Sequence, residues 1–268
     1  MKRMKTQFMK LLFICILLNV FMVSTVLGEN KNDITMTILY DNYIYKEETQ
    51  PDLGFSCLIE SHGKTILFDT GTDSNILLKN AKIMNKDLSK VDIIIISHNH
   101  HDHTGAFLKI VNMTDDVIAY LPYSSEGTYI HRKAKEIGVP VFFEKNLVQI
   151  DTNCYLSGEF GDSIKEQSLI LDTKYGLVVI AGCSHPGILN IVEVTKKQLN
   201  KNVYMVFGGF HLMNYSSPEQ NDVVLKLKSL GVTKCGPTHC SGNRNLFKKA
   251  FKSNYMELGT GKVIKIEG

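Results

Sequence analysis

Residues 97–105 read Ser-His-Asn-His-His-Asp-His-Thr-Gly and follow directly on the run Ile93-Ile94-Ile95-Ile96. Four imidazoles and a carboxylate within six residues are poor material for the end of a buried strand. Each polar group buried there without a partner costs about 2 kcal/mol or more. A metal ion would partner most of them at once. His98 and His100 alternate, so both rings can face one side of an extended loop, and Asp102 and His103 add a carboxylate and a third imidazole. That donor set suits zinc, iron or manganese. His101 falls on the opposite side and reads as a supporting or surface residue.

Other histidines stand in comparable places. His185 lies in Gly182-Cys183-Ser184-His185-Pro186-Gly187, between an apolar run and a helical pattern, and His239 lies in Gly236-Pro237-Thr238-His239-Cys240. Both read as further ligands. His211, after Gly208-Gly209-Phe210, divides evenly between a proton-transfer role and that of an ordinary loop histidine. His62, in a hairpin turn, and His131, beside Arg132 and Lys133, read as surface groups. Asp69, in Leu67-Phe68-Asp69-Thr70-Gly71, has two readings of equal weight. It can orient the histidine loop from behind, or it can cap a turn by accepting backbone N–H groups.

The elements needed to position these residues are legible along the chain. Residues 34–40, 55–60 and 65–68 alternate as strands, with a turn at Ser61-His62-Gly63-Lys64. A helix capped by Asp73 or Ser74 runs to about Ile83. Residues 91–96 form a buried strand ahead of the histidine loop. In the second half, strands are expected at 168–172, 177–181, 203–207, 232–235 and 262–266, with helices at 188–199 and 217–230 and a last helix just after His239. Two halves rich in strand–helix units, each ending strands in histidine-bearing loops, predict an α/β (α+β) chain with two sheets between helical layers. The metal-binding loops would gather along one edge.

Residues 1–28 are set apart. Lys2, Arg3, Lys5 and Lys10 precede an apolar run from Leu11 to Val23, broken by Asn19, and Val26 and Gly28 supply small residues for cleavage. This is the pattern of a secretory signal, too short for a comfortable membrane span; the alternative is an uncleaved N-terminal anchor. Export is therefore expected, with membrane association only if the segment is retained. Residues 29–268 are read as one domain. Without the leader, 26 basic residues stand against 27 acidic ones, a net charge of −1, and nothing favours nucleic acid as a partner. Five cysteines remain (Cys57, Cys154, Cys183, Cys235, Cys240), odd in number and irregular in spacing, so no disulfide framework follows.

The motif His98-x-His100-x-Asp102-His103, preceded by Phe68-Asp69-Thr70-Gly71, resembles that of the metallo-β-lactamase fold superfamily. Gly182-Cys183-Ser184-His185-Pro186-Gly187-Ile188, Gly208-Gly209-Phe210-His211-Leu212, Pro237-Thr238-His239-Cys240 and Asp41-Asn42 resemble the branch named for a dihydropterin-methyl-aminobenzene-ribofuranosyl phosphate synthase. The resemblance implies an αββα sandwich of two mixed sheets with a site for one or two divalent ions, zinc first, with manganese or iron as alternatives. His98, His100 and His185 would hold one ion, and Asp102, His103 and His239 the other. The sequence departs from the superfamily pattern twice. Residues 104–184 offer only His131 as an upstream histidine, and Cys183 stands where many members carry a bridging aspartate, so Cys183 becomes a candidate thiolate ligand. Asp41, like Asp69, would act from behind the ligands.

The expected activity is that of an exported metal-dependent hydrolase, in which a bound water is acidified to a hydroxide nucleophile. Asp102 would orient the nucleophile and His211 would protonate the leaving group. Helix N-termini after His185 and His239, with Arg244, favour a small anionic, phosphate-type ester as the partner. The competing readings are an iron-dependent oxidoreductase on the same fold and a non-catalytic metal-binding module.

Overall fold

A computed structural model describes residues 33–267. The expected leader, residues 1–28, lies outside the described residues. The first half opens with an antiparallel meander of β1 (Ile34–Tyr40), β2 (Ser56–Ser61) and β3 (Lys64–Phe68). Helix α1 (Ser74–Ile83) follows, its N-terminus capped by the Asp73 carboxylate, which accepts the Asn75 N–H. Strands β4 (Ile93–Ile95), β5 (Ile118–Leu121) and β6 (Val141–Phe143) continue the sheet in parallel. Between them lie α2 (His101–Thr104), α3 (Phe107–Val111) and α4 (Tyr129–Glu136).

The second sheet begins with the antiparallel strands β7 (Val148–Asp151), β8 (Cys154–Leu156), β9 (Leu169–Thr173) and β10 (Gly176–Ala181). Helix α5 (Ile188–Leu199) leads to β11 (Val203–Gly209), and α6 (Ser217–Ser229) leads to β12 (Lys234–Thr238), both strands parallel to β10. Helix α7 (Arg244–Phe251) precedes β13 (Val263–Ile266), which returns to pair with β1. The sheet orders are β13-β1-β2-β3-β4-β5-β6 and β12-β11-β10-β9-β8-β7.

Alternation along the strands builds three apolar layers. Ile93 and Ile95 face the other sheet and, with Met36 and Phe68 of their own, join its Leu169 and Phe207, while Ile94 and Ile96 turn outward onto Leu77, Phe107 and Ile110. On β10, Val178 and Ile180 face inward, and Val179 and Ala181 pack under Ile191, Val192 and Val224 of α5 and α6. This is the expected sandwich, helices outside and two mixed sheets within. Among the described residues, no helix is long and apolar enough to cross a membrane.

Three expected boundaries move. A 3-10 turn at Leu88–Lys90 takes up Val91, so β4 starts at Ile93 rather than Val91. β12 runs through Pro237 to Thr238 rather than stopping at Cys235; it is an edge strand, where a missing N–H is tolerated. The last helix begins at Arg244, five residues beyond His239, instead of directly after it. Strands β5 to β8 were not expected at all. They are only three or four residues long and partly exposed, so they leave little periodic signal.

Candidate metal centre

Parallel strands share one direction, so their C-terminal loops collect at one edge. β3 ends in Asp69, β4 in Ser97-His98, β10 in Gly182-Cys183, β11 in Phe210-His211 and β12 in His239. Gly182 lets the two sheets close at this point: a Cβ there would lie 2.1 Å from Ser97 Oγ and 2.9 Å from Asp69 Oδ2. Four residues of these loops, Asp69, Ser184, His211 and His239, hold left-handed backbones with φ of 56°, 64°, 51° and 50°. Such conformations cost about 1–3 kcal/mol each and persist where surrounding contacts fix them.

Four histidines are held in one way. The Nδ1 of His103 donates to Asp69 Oδ2 at 2.7 Å, that of His185 to Glu166 Oε2 at 2.9 Å, and that of His239 to Asn42 Oδ1 at 2.8 Å. His98 Nδ1 lies 2.9 Å from Ser97 Oγ, whose hydroxyl donates to Asp69 Oδ2 at 2.7 Å. With Nδ1 committed, each ring turns a bare Nε2 inward. The Nε2 atoms of His98 and His185 are buried with no hydrogen-bond partner. That arrangement, with an orienting acceptor behind each ring and a lone pair in front, is the one metal-ligating histidines adopt.

The donor atoms fall into two triads. Those of His98, His100 and His185 lie within 4.8 Å of one another, as do those of Asp102, His103 and His239. Asp102 Oδ2 is 3.4 Å from His239 Nε2 and 3.6 Å from His103 Nε2. The sulfur of Cys183 is 3.3 Å from His103 Nε2 and 3.4 Å from that of Cys240. Imidazole, carboxylate and thiol donors that converge around unpartnered buried nitrogens fit a divalent cation.

The charges agree with the geometry. Burial and the neighbouring imidazoles push His98 and His103 down to about 3, so both are neutral and able to ligate. Burial raises Asp69 to about 7, against the opposing pull of His98 and of the Ser97 hydrogen bonds. Burial also raises Asp41, to about 6; its carboxylate accepts from Thr238 Oγ1 at 2.5 Å and from the Tyr43 N–H at 3.0 Å, and so fixes the residue before His239. Asp102 would be raised by burial, but His239 and His103 outweigh this and hold it below the usual carboxylate range. Of the two readings of Asp69, the orienting one holds: its carboxylate takes the His103 ring, and the backbone N–H it accepts, at 2.7 Å, is that of Ser97, 28 residues away at the head of the histidine loop, and not one of its own turn.

Glu166 escaped the sequence reading. It is 1 % exposed and accepts the backbone N–H groups of Cys183, Ser184 and His185, at 2.9, 2.9 and 3.0 Å, besides the His185 ring. These bonds overcome the burial that would raise its carboxyl, and hold it well below the usual range. The one available signal was an acid at the head of the apolar run 169–171. Asn42, which orients His239, is singled out in the sequence only as part of the Asp41-Asn42 pair that carries the resemblance, with no role attached.

Of the remaining histidines, His211 converges with Cys183 and His185, and the others do not reach the site. The His211 ring lies 4.4 Å from that of His185, tilted by 47°, and its Nδ1 lacks a partner. His101 is exposed, His62 contacts Ser61 in the hairpin turn, and His131 accepts the Gly127 N–H. Arg244 does not turn to the site: its guanidinium lies 2.6 Å from Glu257 Oε1 and 4.1 Å above the Tyr43 ring. The α7 N-terminus is likewise self-capped, by Asn243.

The sequence model of the metallo-beta-lactamase superfamily matches residues 49–127, the segment that carries Asp69 and the histidine loop. A curated relative from Methanocaldococcus jannaschii, 7,8-dihydropterin-6-methyl-4-(beta-D-ribofuranosyl)-aminobenzene-5'-phosphate synthase, is 30% identical over 88% of this chain and 97% of its own length. Among solved structures, Tm1679, described as a metal-dependent hydrolase of the beta-lactamase superfamily, superposes with a TM-score of 0.76 at 29% identity, over 88% of this chain and 100% of that one. YhfI from Bacillus subtilis, a metallo-beta-lactamase fold protein, shares the fold at a TM-score of 0.63 and 13% identity, over 87% of this chain and 100% of its own. The chain belongs to the metallo-β-lactamase superfamily, in the branch that resembles the M. jannaschii synthase.

Proposed function

We propose that the chain is a metal-dependent hydrolase of a small anionic ester, with two divalent ions, zinc in the first place. The observation that carries this reading is the pair of triads at one sheet edge, with the Nε2 atoms of His98 and His185 buried and unpartnered. His98, His100 and His185 would hold one ion, and Asp102, His103 and His239 the other. When bound, the ions supply Lewis acidity and lower the pKa of water towards neutrality. Tm1679, described as a metal-dependent hydrolase, supports the reaction class.

The chain's own residues account for the rest. The Asp102 side chain is 22 % exposed and can accept a hydrogen bond from the attacking water. His211 keeps its proton more readily than a free imidazole, first through its contact with Cys240, and is placed to hand that proton to the leaving group.

Two hollows flank the metal edge. One, of about 490 Å³, is walled by Ile188, Phe210 and Leu212 next to His185 and His211. The α5 N-terminus opens onto it, with Gly187 as an N-cap that offers no side-chain acceptor. Three backbone N–H groups there have no intrahelical partner and favour an anion. The other hollow, of about 720 Å³, is lined by His100, Ser124, Lys165 and the carboxylates of Glu126, Glu159 and Asp162. A substrate with a compact anionic group and an apolar portion suits the first hollow; the phosphate in the relative's name agrees with it. Export of the enzyme is supported by the basic, apolar and small-residue order of residues 1–28.

The test is metal analysis of the purified chain followed by a panel of phosphomonoesters and phosphodiesters. Two ions per chain, with turnover abolished by a chelator and restored by zinc, is the expected result. A fully metallated sample that neither binds nor cleaves any member of the panel overturns the substrate class.

A further inference from the structure

The two loops that supply the first triad come from different sheets. His98 and His100 follow β4, and His185 follows β10. Chain order does not set how far apart those loops stand, yet the ring centroids of His98 and His185 lie 4.5 Å apart. Two adjacent residues ahead of β9, Glu166 and Gln167, reach both loops. Successive side chains of an extended segment point to opposite sides. The Glu166 carboxylate turns to the β10 loop, where it takes the N–H groups of Cys183, Ser184 and His185. Gln167 turns to the end of β4. Its backbone N–H donates to the Ser97 carbonyl at 3.0 Å, and its side-chain Nε2 donates to the Ile96 carbonyl at 2.8 Å. Those are the last two carbonyls before His98.

Gln167 is fully buried, and its amide is used in one sense only. Nε2 faces carbonyl oxygens, with that of Tyr120 at 3.5 Å as a second neighbour, and Oε1 makes no hydrogen bond. The Tyr120 carbonyl also accepts the Ile96 N–H at 3.0 Å, so the amide lies at the junction of β4 and β5. Polarity is matched on both sides. The N–H groups of the β10 loop meet a carboxylate, and the carbonyls of the β4 end meet donors. A carboxylate at position 167 would instead set its lone pairs against carbonyl oxygens. The second triad is held by other groups, Asp69 behind His103 and Asn42 behind His239.

We propose, on the metal-centre reading above, that Gln167 is a positioning residue for the first metal position. Together with Glu166 it fixes the spacing between His98 and His100 on one loop and His185 on the other, and so how tightly that position holds a cation. Gln167 itself touches neither metal nor substrate. Loss of its donor should therefore loosen the first position and spare the second.

Cadmium-113 NMR of the metal-free full chain titrated with cadmium supplies the test, since each filled position gives its own resonance. His185→Ala, which removes a donor of the first triad, identifies the resonance of the first position. Gln167→Met keeps the length of the side chain but has no donor. It should weaken cadmium at the first position by about 10–100-fold, as loss of a group that orients ligands does, and should shift that resonance while the second stays in place. Gln167→Asn keeps the donor on a shorter stem and should give a smaller loss at the same position. Unmoved resonances and unchanged affinity in Gln167→Met, with only the denaturation midpoint lowered, would show that Gln167 supports the fold alone, and would leave the metal-centre reading standing. Equal weakening of both positions would also overturn the selective role. A folded, unaltered chain whose first position takes up no cadmium removes the metal-centre reading there, and the role of Gln167 with it. Should Gln167→Met not fold, Gln167→Asn decides by the same resonance: a first position as tight as that of the unaltered chain refutes the role.

Discussion

Glu166 accepts two hydrogen bonds from His185, one from the ring at 2.9 Å and one from the backbone at 3.0 Å. A single buried carboxylate thus orients the ligand ring and shapes the loop that carries it, since the same group also takes the N–H of Cys183 and Ser184. It lies at the head of β9, across from the end of β10, and so ties two strands of the second sheet to the metal edge.

Removal of that carboxylate is expected to loosen the first triad without emptying the second. Glu166→Gln keeps the shape, but its amide nitrogen cannot accept the N–H groups that now share the two oxygens. A fall in zinc affinity of about 10–100-fold is expected, the usual effect of losing an acceptor behind a ligating histidine. Competition against a chromophoric chelator measures it; an affinity equal to that of the unaltered chain would refute the orienting role.

Asp69 sets a pH dependence for metal binding. Burial holds its proton up to about 7 in the metal-free chain. A cation on His103 makes the Nδ1–H a stronger donor and favours the ionised carboxylate, so binding below about pH 7 must displace a proton. The sign follows: affinity falls as pH drops from 7.5 to 5.5, by about ten-fold per unit for each proton displaced. Asp69→Asn has no proton to lose, and its affinity should be lower at pH 7.5 and flatter with pH. Chelator competition at several pH values reads the slope, and identical slopes in the two proteins would count against this linkage.

Gly182 tests the closure of the sheets. Its missing Cβ would stand 2.1 Å from Ser97 Oγ, inside the hydrogen-bond chain that links His98 to Asp69. Gly182→Ala is expected to cost about 1–3 kcal/mol through overpacking, visible as a lower denaturation midpoint, together with weaker metal binding. An unchanged midpoint would mean that the two edges have room the structure does not show.

His211 should separate proton transfer from metal retention. Its ring lies 4.4 Å from that of His185 but outside both triads. His211→Gln is expected to lower kcat by about 10²–10⁴-fold, the range for loss of a positioned acid, with metal content and KM little changed. Loss of metal in this variant would instead assign His211 to coordination.

Metal removal bears on stability as well as activity. A cation at about 100 times its Kd stabilises the folded chain by about 2.7 kcal/mol. For a chain of this length that corresponds to about 5–10 °C in Tm. Calorimetry before and after chelation, with zinc added back, checks this; a Tm indifferent to zinc would argue that the triads are not filled.

The sequence by itself determined the donors and the layers. Alternation in residues 93–96 fixes which isoleucines face each layer, and the spacing of His98, His100, Asp102 and His103 is local enough to be read without a fold. Their matching partners were harder. Glu166 is 19 residues from His185, Asn42 is 197 residues from His239, and Asp69 is 34 residues from His103. None of these pairs has a spacing that a helix or hairpin would impose. The tertiary structure alone decided that Asp69 stands behind the histidine loop and does not cap its own turn, that Arg244 is spent on Glu257, and that Cys183 stands between the triads. The physical reason is the sandwich itself. Two sheets brought close at Gly182 place the ends of distant strands side by side, and burial there leaves each polar atom dependent on whichever partner that closure brings.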